Sequence, residues 1–585
     1  MDKNYDQTKE TEIYKRWEDS GAFEPKGKGK PYTILMPPPN ANASLHAGHA
    51  MYTVDDVLVR WKRMQGYSAQ WLPGMDHAGF ETQFVYEKNL AKNGQSRLDF
   101  DRQTLYNNVF DFVKNNSGLI YEQFKRLGFS ANWQRSTFTL DEKVIREVWE
   151  TFIKMEKEGL IYRDDYLVNF CPHCGTSLAE LEVEHEERVD NLYYVKYKKV
   201  DGDGFITVAT TRPEPIWADT HLAVNPKDKK NKVLIGQKVL NPLTGTEMEI
   251  IGDEFVDPEF GTGIVKLTPA HDANDFAAAQ KHKLPIVSAI DLQGRMTNGA
   301  GKYAGLKVVE ARKQIVEYLQ NNGSIEKIDD KYLHSVNLCY KCKRILEPMV
   351  VPNWFIKVES LKEPVIHAVQ KNDVKFYPSR FKKQMLDWLK IMHDWPISRQ
   401  IAWGIRIPIW YNIDDNPEIS IGFLDSQKKF VQGKVSEISE KYGFNEIENG
   451  LQYLRANKQS KYVVSTTKPK GNFLQETDTF DTWFSSGQWP LVTEAELPTD
   501  MLGTLADILK SWVSRMIMFS LYKKNTLPFK DVYLWSMVAD SKGIKMSKSK
   551  GNVVNPIELV DKYGADALRM TLLYGVATGS SIALS

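Results

Sequence analysis

The sequence predicts an α/β fold whose parallel sheet is interrupted by an inserted β-rich domain, and three observations predict it. A buried strand at Tyr32–Met36, an amphipathic helix at 51–64 and a second strand at Tyr67–Leu72 follow one another, which is the order that builds a parallel sheet. Between about 190 and 330 the apolar runs become short and β-rich, which indicates a separate domain. After about 353 the α/β pattern returns. A stretch from about 411 to 475 is rich in lysine and weakly patterned, and it is predicted to be a peripheral insertion.

The helix predictions rest on the spacing of apolar side chains. Residues 100–162 are predicted to be mainly helical. Gly66 is placed to end the first helix. Apolar residues recur at intervals of three or four in two segments, Met51, Val54, Leu58, Trp61 and Met64, then Val144, Val148, Phe152 and Met155.

Length and composition exclude several classes of protein. A chain of 585 residues exceeds the roughly 250–300 residues of a single compact core, so we expect several domains. No stretch approaches the ~20 apolar residues of a membrane helix, and the charged N-terminus lacks an apolar signal core. For the same reason we expect no membrane partner. Four cysteines are too few for a disulfide scaffold, so we expect a cytoplasmic protein. The net charge of +1 argues against a uniformly basic nucleic-acid-binding coat.

The first candidate site is the turn His46-Ala47-Gly48-His49, which follows the first strand and opens the first helix. Free N–H groups and the helix dipole at such a position attract anions. Imidazoles there can donate hydrogen bonds to a phosphate in which charge grows during transfer. Gly48 would let a ligand approach the backbone closely. The same pattern also fits a pair of surface or capping histidines.

The second candidate site is the cationic segment Lys545-Met546-Ser547-Lys548-Ser549-Lys550. Lysines among small residues suit a loop that clamps a polyphosphate, because each ammonium group acts as a compact point charge. Asn555 and Pro556 suit the N-cap and first position of a following helix. The alternative is a solvated, lysine-rich turn.

All four cysteines fall in two Cys-x-x-Cys pairs that bracket the β-rich segment, Cys171 with Cys174 and Cys339 with Cys342. In a cytosolic protein this arrangement most simply forms one tetrahedral Zn²⁺ site that ties the two necks of the insertion together. The alternative is two reduced pairs without metal. A closed four-cysteine shell leaves no open position for catalysis, so the zinc would be structural.

The two motifs together resemble the HIGH and KMSKS signatures of class I aminoacyl-tRNA synthetases, in the order of that family. The resemblance implies a Rossmann-type (HUP-like) catalytic domain that joins an amino acid to ATP, releases pyrophosphate and transfers the aminoacyl group to the 3′ end of tRNA. In it, Lys545 and Lys548 would stabilise the reacting phosphate together with Mg²⁺. The ATP-binding set that the resemblance implies is Asn40, His46, Gly48, His49, Lys545, Ser547 and Lys548.

Three segments are similar to those of the valine-specific members of the family, Pro37–Asn40, Pro73–Gly79 and Asp481–Ser486. The implied substrates are L-valine and tRNA(Val), with Asp76 as the buried anion for the substrate ammonium. For Trp483 and Trp512, the alternative to a place in the substrate pocket is core packing. For the chain as a whole, the alternatives are an isoleucine-specific enzyme and a non-catalytic tRNA-binding paralogue. The implied side-chain pocket consists of Pro38, Trp483, Ile508 and Trp512.

The inserted domain carries a candidate proofreading site. A hydrophobic pocket rejects threonine in favour of valine only about 10²-fold, which is the established value for synthetases of this kind, so a second, hydrolytic site is needed. Taken alone, the His-Asp-x-x-Asp stretch is more typical of a capped helix start. By resemblance the editing pocket comprises Thr210, Thr211, Arg212, Lys266, Thr268, Asp272 and Asp275, with Asp275 the strongest candidate and Arg212 placing the tRNA 3′ end.

The resemblance covers essentially the whole chain and implies a monomer that stops where a helical anticodon-binding domain would begin, so we expect a fragment. Departures from the family include Ala43 and Ala47, Phe80-Glu81, Ile405, where histidine is common, and Trp535-Ser536, where His-Gly is common on the adenine side. The predicted domains are a first catalytic half at 1–165, a zinc-ribbon-like neck at 166–190 and 330–352, an editing domain at 191–329, a second catalytic half at 353–540, and the lysine loop with the start of a stem-contact region at 541–585.

Overall fold

A computed structural model describes residues 6–179, 182–540, 542–544, 546 and 554–583. The chain divides into two compact units. The first contains the residues up to Arg163 and those from Trp354 onward, and the second contains Asp164–Asn353. Lys545, Ser547 and Lys548 of the predicted ATP site lie outside the described residues.

The first unit is built on a five-stranded parallel sheet. The chain's first strand has the second strand on one side and a much later strand, Thr499–Thr504, on the other, so strand order reverses here. The crevice outside the carboxyl ends of two such strands is where open α/β sheets bind ligands. In spatial order the strands are Lys375–Tyr377, Phe529–Leu534, Thr499–Thr504, Pro31–Leu35 and Ser68–Leu72.

Fourteen α-helices and several short strands surround this sheet in the described part of the first unit. The helices are Glu10–Asp19, Thr53–Met64, Gly79–Lys92, Arg102–Arg126, Glu142–Lys157, Glu359–Lys371, Arg380–Ile391, Val435–Ile438, Phe444–Gly450, Thr482–Ser486, Trp489–Val492, Ser514–Lys524, Pro556–Tyr563 and Ala565–Leu573. The paired short strands are Gly74–Met75 with Thr137–Phe138, Ser398–Arg399 with Thr479–Phe480, and Met537–Ala539 with Ser581–Ala583.

The predicted helix at 51–64 exists, and Met51 and Val54 of the apolar pattern are buried, but the last two residues of the pattern are not. A 3₁₀ turn at Ala47–Tyr52 precedes the α-helix, and Gly66, with φ of +83°, follows its end. Trp61 and Met64 are exposed, at 49% and 86%. The helix buries Asp56 instead, whose carboxylate pairs with Arg60 and Arg569. Apolar periodicity could not identify buried Asp56, because its ion pair depends on Arg569, far away in the chain.

The helix Glu142–Lys157 confirms the other apolar pattern, since the four residues that repeat in it are all buried. The stretch 411–475 contributes to two three-stranded antiparallel sheets, and its Ile421, Phe423 and Leu454 share the hydrophobic core of the parallel sheet. The strands are Val463–Val464, Ile409–Asn412 and Phe473–Gln475 in one sheet, and Phe430–Lys434, Ser420–Leu424 and Leu451–Arg455 in the other.

The second unit is a mixed β-sheet with two α-helices, Ala273–His282 and Val308–Asn321. Its longest element is an antiparallel ribbon in which Val183–Lys199 pairs with Ile325–Cys339. The remaining strands of the sheet are Phe205–Thr210, His221–Val224, Lys238–Leu240, Glu247–Gly252 and Ile264–Leu267. Strand Thr176–Leu178 pairs with the end of Ile161–Cys171, and Glu347–Ile356 leads the chain back to the first unit. Across the described part of both units, no helix combines the length and apolarity needed to cross a bilayer.

Candidate active sites and metal centre

The HAGH turn begins eleven residues after Leu35, the last residue of the first strand, and forms a reciprocal cap. Gly48 N–H donates to His46 Nδ1, and His46 N–H donates to His49 Nδ1, both at 3.1 Å. An imidazole that accepts at Nδ1 carries its proton at Nε2 when neutral, which assigns the Nε2–H form to both rings. A Cβ on Gly48 would lie 2.8 Å from the His46 ring, so the glycine makes room for this imidazole as well as for a ligand.

A backbone hydrogen bond joins the HAGH turn to the chain just after the lysine segment. Ala47 N–H donates to Val554 O at 3.0 Å. The Asn555 side chain then accepts from Ile557 N–H, which confirms the predicted N-cap of the helix Pro556–Tyr563. The flank of the second motif therefore lies against the first motif, although 506 positions separate Val554 from Gly48 in the numbering.

Asp76 is buried at the end of the neighbouring parallel strand. Its Oδ1 accepts from Ala78 N–H and Thr139 Oγ1–H, both at 3.0 Å, and Thr482 Oγ1 lies 3.2 Å from each carboxylate oxygen. Burial raises the pKa of Asp76 to about 6 despite these bonds. Asp76 N–H donates to Pro39 O, which joins the proline-rich turn to this carboxyl. A buried carboxylate of this kind gains from a bound ammonium group.

His77, beside Asp76, is a neutral structural residue. Its Nδ1 lies 2.6 Å from Thr139 Oγ1, and burial lowers its pKa to about 3. The 3.3 Å contact between His77 Nδ1 and Asp76 is therefore not an ion pair. Sequence reasoning identified Asp76 but missed Thr139 and Thr482, and only Thr482 had a signal, because it adjoins the predicted Trp483.

The four residues of the predicted side-chain pocket differ in exposure. Pro38, Trp483 and Ile508 are half-buried, whereas Trp512 is buried and donates from Nε1 to Ser486 O at 2.9 Å. Trp512 lies in a π-helical turn, Leu509–Val513, a local distortion that is frequent at functional sites. Thr482, which contacts Asp76, begins the helix Thr482–Ser486 that contains Trp483. Of the four predicted wall residues, only Trp483 thus shares a helix with a residue that contacts Asp76.

Asn40 and Trp535 make contacts that the sequence did not predict. Asn40 Nδ2 donates to Glu81 at 2.5 Å. Trp535, on the predicted adenine side, is buried and donates from Nε1 to Asp55 Oδ1 at 3.2 Å. Its indole also packs edge-on against Tyr52, with 4.9 Å between the ring centroids. The indole of Trp535 is therefore hydrogen-bonded to Asp55 and packed against the ring of Tyr52.

In the second unit, a cavity of about 390 Å³ brings the predicted editing residues together. Its walls include apolar side chains such as Phe255 and Phe260, so the site combines charged and apolar groups. The predicted residues that line it are Thr210, Thr211, Arg212, Lys266, Thr268, Asp272 and Asp275, that is, the whole predicted set.

The two aspartates of the cavity play different parts. Asp272 is the exposed N-cap of the helix Ala273–His282 and accepts from Asn274 N–H and Asp275 N–H, as a capped helix start requires. Asp275 is buried and accepts from Thr268 N–H at 2.8 Å. Burial, and next the charge of Asp272, raise the pKa of Asp275 to about 7. Asp275 is therefore able to take or release a proton near neutral pH.

Asp219 orients two cavity residues, and sequence reasoning missed it because no motif surrounds it. Its Oδ1 accepts from Thr268 Oγ1–H at 2.5 Å and lies 3.3 Å from Lys266 Nζ, while Tyr197 O–H donates to Oδ2 at 2.8 Å. Burial raises the pKa of Asp219, and the charge of Lys266 opposes this. The side chains of Lys266 and Thr268 are thus held by a fully buried carboxyl.

Arg212 lines the same cavity but belongs to a buried ion-pair network. Its Nε donates to Glu214 at 3.0 Å, and Nη2 donates to Glu347. Arg312 contributes two further bonds to Glu214, at 2.8 and 2.9 Å. Burial alone would raise the pKa of Glu214, but the charges of Arg212 and Arg312 outweigh it and hold the value at about 2. This network fixes the guanidinium at the rim of the cavity.

The four cysteines converge as the spacing predicted, with their sulfur atoms all within 4.8 Å of one another. Tetrahedral Zn²⁺ with Zn–S bonds of about 2.3 Å requires S–S separations of about 3.8 Å, and Cys171 and Cys342 Sγ are 3.5 Å apart. Both knuckles have the same turn, since Gly175 N–H donates to Cys171 O and Lys343 N–H to Cys339 O. The donor set and its spacing fit zinc.

Comparison with known proteins gives the class. The family model described as tRNA synthetases class I (I, L, M and V) matches residues 12–585. The chain therefore belongs to the class I tRNA synthetases of the I, L, M and V group.

Within that class, the chain is similar to curated valine--tRNA ligases. It is 42% identical to the Thermotoga maritima enzyme, over 98% of this chain and 64% of that protein. The Geobacter sulfurreducens enzyme is also 42% identical, over 98% and 62%, and the Clostridium tetani enzyme is 41% identical, over 99% and 63%. The chain thus spans less than two thirds of the length of these relatives.

Two solved structures from the same class are more distant. One is the ternary complex of Agrobacterium radiobacter K84 agnB2 LeuRS with tRNA and LeuAMS, with a TM-score of 0.49, 18% identity, and coverage of 100% of this chain and 74% of that one. The other is Mycobacterium tuberculosis methionyl-tRNA synthetase bound by methionyl-adenylate, with a TM-score of 0.45, 13% identity, and coverage of 95% and 66%.

Proposed function

We propose that this chain is the synthetic and editing core of a valine--tRNA ligase, which uses ATP to join L-valine to tRNA(Val). One observation supports the proposal most. The HAGH turn and Asp76 follow the carboxyl ends of adjacent parallel strands, beside the point where strand order reverses. The identity of 42% to curated valine--tRNA ligases supports valine as the amino acid.

In the first step of the proposed reaction, a carboxylate oxygen of valine attacks the α-phosphorus of ATP. The bond to the bridging oxygen breaks, pyrophosphate leaves with the electron pair, and valyl-adenylate remains. His46 and His49 donate from Nε2 to phosphate oxygens on which charge grows. Lys545 and Lys548, outside the described residues, hold the leaving pyrophosphate. Mg²⁺ would neutralise the same phosphate oxygens.

Amino-acid recognition is assigned to Asp76 and the apolar pocket. The carboxylate of Asp76 receives the substrate ammonium, and Pro38, Trp483, Ile508 and Trp512 form the walls around the branched side chain. One methylene is worth about 1–3 kcal/mol, so such a pocket discriminates valine from isoleucine mainly by size. It discriminates valine from threonine poorly, because the two side chains have the same shape.

The second unit is proposed to hydrolyse threonyl-tRNA(Val) after transfer. A water molecule attacks the ester carbonyl, Asp275 takes a proton from it, and the tRNA 3′ hydroxyl leaves with a proton. The raised pKa of Asp275 supports this role. Lys266 and Thr268 hold the substrate, and Arg212 places the tRNA 3′ end. Structural Zn²⁺ on Cys171, Cys174, Cys339 and Cys342 would tie the neck of this unit together.

Exchange of pyrophosphate into ATP, measured with valine, isoleucine and threonine, tests the proposed activation. We expect valine to support the highest kcat/KM and threonine a kcat/KM about 10²-fold lower. Faster exchange with isoleucine would identify the isoleucine-specific relative instead. No exchange with any of the three would contradict the synthetic function.

A non-catalytic tRNA-binding paralogue is the second candidate, and one observation favours it. Trp535, which stands where the resemblance implies the adenine side, is buried and bonded to Asp55. If this indole blocks the nucleotide, ATP will not protect the chain against thermal unfolding. Stabilisation by ATP, at concentrations well above its Kd, would exclude this candidate.

A further inference from the structure

The first unit contains a second cavity, of about 470 Å³, that the proposed reaction does not use. Its walls are the start of the helix Arg102–Arg126, the segment 402–406 and part of the antiparallel sheets. Tyr106, Trp149 and Trp410 supply aromatic surface, and Arg102 and Arg406 supply positive charge. The only carboxylate of its described lining is Glu448, which is bonded at 2.6 Å to Lys468.

The two arginines are bonded only to backbone carbonyls within the described residues. Arg102 donates to Gln452 O at 3.4 Å and, from Nη2, to Ile401 O and Thr477 O. Arg406 donates from Nε to Glu476 O at 2.7 Å and from Nη2 to Gln475 O at 3.1 Å. Neither has an ion pair with a carboxylate in the part of the chain that the structure describes. Nε of Arg102 and Nη1 of Arg406 therefore keep N–H groups for another acceptor.

The two guanidinium groups also repel each other. Burial, and next the positive charge of Arg406, lower the pKa of Arg102 to about 9. Burial lowers the pKa of Arg406 to about 10, against the charges of Glu476 and Glu448. Glu476 is already engaged by Trp354 Nε1 and Tyr411 O–H. Two part-buried cations share this cavity, and Glu448, the one carboxylate of its described lining, is already paired with Lys468, so an anion bound between the arginines would be stabilised.

From this arrangement we infer that the cavity binds a phosphate dianion between Arg102 and Arg406. Guanidinium groups recognise such an oxyanion through paired N–H donors, and two positive charges match its charge. The volume admits either free phosphate or the phosphate of a small metabolite, whose planar body would pack on Tyr106 and Trp149. Its lining shares no residue with the proposed ATP site, and the inference does not depend on the proposed function.

The site has a structural link to the amino-acid loop. The segment that forms one wall also contacts residues next to Asp76, because Trp403 Nε1 donates to His77 O at 2.8 Å. Arg102 Nη2 also donates to the carbonyl oxygen of Ile401, the residue that precedes this segment. An anion held by Arg102 and Arg406 would therefore restrain a segment that supports the loop carrying Asp76.

Soaking crystals of the unmodified chain with selenate tests the site directly. Selenate is a tetrahedral dianion whose selenium gives an anomalous peak. We expect a peak within hydrogen-bond distance of Arg102 and Arg406. A map with selenate elsewhere but none in this cavity would overturn the inference, whether or not the chain activates valine.

Solution titrations give a second, independent test. Phosphate and phenyl phosphate are titrated at constant ionic strength in a His46→Ala/His49→Ala background, which weakens the proposed ATP site, and thermal unfolding reports binding. We expect Arg406→Lys to weaken binding by about tenfold or more, since it removes a charge-assisted hydrogen bond. Tighter binding of phenyl phosphate would identify a metabolite phosphate, and equal binding would identify free phosphate.

The matched control is Arg455→Lys, at an arginine that is already paired with Asp478 and does not line the cavity. It should bind phosphate as the background protein does. Equal phosphate affinity in the Arg406→Lys and Arg455→Lys proteins would contradict the assignment.

Discussion

Ala47 N–H donates to Val554 O at 3.0 Å, which joins the turn that carries both histidines to a residue four positions after the lysine segment. Ala47 is the first residue of a 3₁₀ helix, a position that tolerates proline, and His46 before it has extended backbone angles that proline accepts. The variant Ala47→Pro therefore removes this single donor with little cost to the helix.

We expect Ala47→Pro to raise KM for ATP and to lower pyrophosphate exchange, because the flank of the lysine segment loses its anchor. The free energy of unfolding should fall by only about 1 kcal/mol, the net value of one hydrogen bond. Ala47→Gly, which keeps the N–H, is the control and should retain wild-type KM. Wild-type exchange kinetics in Ala47→Pro would show that this bond does not support ATP binding.

Asp76→Asn should stabilise the unliganded chain at alkaline pH. Burial raises the pKa of Asp76 from its ordinary value of 3.8 to about 6, so the folded chain favours the protonated carboxyl. This contribution to stability is full below about pH 4 and is lost as pH rises through 6. The amide should raise the free energy of unfolding by up to about 3 kcal/mol at pH 8 and by little at pH 4. Urea titrations at both pH values measure it, and equal effects at the two would contradict the assigned pKa.

The same carboxyl should govern valine affinity. An ammonium ligand binds the ionised form of Asp76, so KM for valine should rise as pH falls below about 6 in wild type. In Asp76→Asn, KM should be high at every pH, while KM for ATP stays near its wild-type value. A pH profile of exchange kinetics checks both, and a variant with wild-type KM for valine would rule out Asp76 as the ammonium site.

Asp275→Ala should remove editing without affecting activation. The side chain is buried in the cavity of the second unit, and losing a proton acceptor there should slow hydrolysis of preformed threonyl-tRNA(Val) by about 10²-fold or more. Valine-dependent exchange should stay at the wild-type rate. Asp253→Ala, an ion-paired aspartate of the same unit outside the cavity, is the control. Normal clearance of threonyl-tRNA by Asp275→Ala would refute the assignment.

Zinc analysis of the purified chain should find one Zn²⁺ per molecule. Cys339→Ser should bind much less, because a structural site needs all four thiolates, and should unfold at a lower temperature. Lys341→Ala alters the knuckle that contains Cys339 without removing a thiolate, and it should keep its zinc. Full zinc content in Cys339→Ser would contradict a four-cysteine site.

Local features of these sites could be predicted from sequence, whereas long-range ones could not. The HAGH turn, the cap at Asn555 and the cysteine knuckles each occupy a few consecutive residues, and their residue types define their geometry. Asp219 and Thr139 act through contacts 49 and 63 residues away along the chain, to Thr268 and Asp76, and nothing around them marks that role.

The helix Thr53–Met64 gives a second example of a long-range feature that could not be predicted from the sequence. Apolar spacing predicted the helix but placed Trp61 and Met64 on its buried face. The orientation follows instead from buried Asp56, whose partner Arg569 lies 513 residues away in the chain. Apolar periodicity alone does not reveal a buried ion pair formed with a distant element.

The most direct test of a chain that both synthesises and edits is the number of AMP molecules formed per aminoacyl-tRNA retained, measured with ATP and tRNA(Val). We predict a ratio close to one with valine and a ratio far above one with threonine, because threonyl-tRNA is made and then hydrolysed. Asp275→Ala should bring the threonine ratio close to that of valine. Equal ratios for the two amino acids in the wild-type chain, or no AMP with valine, would contradict the account.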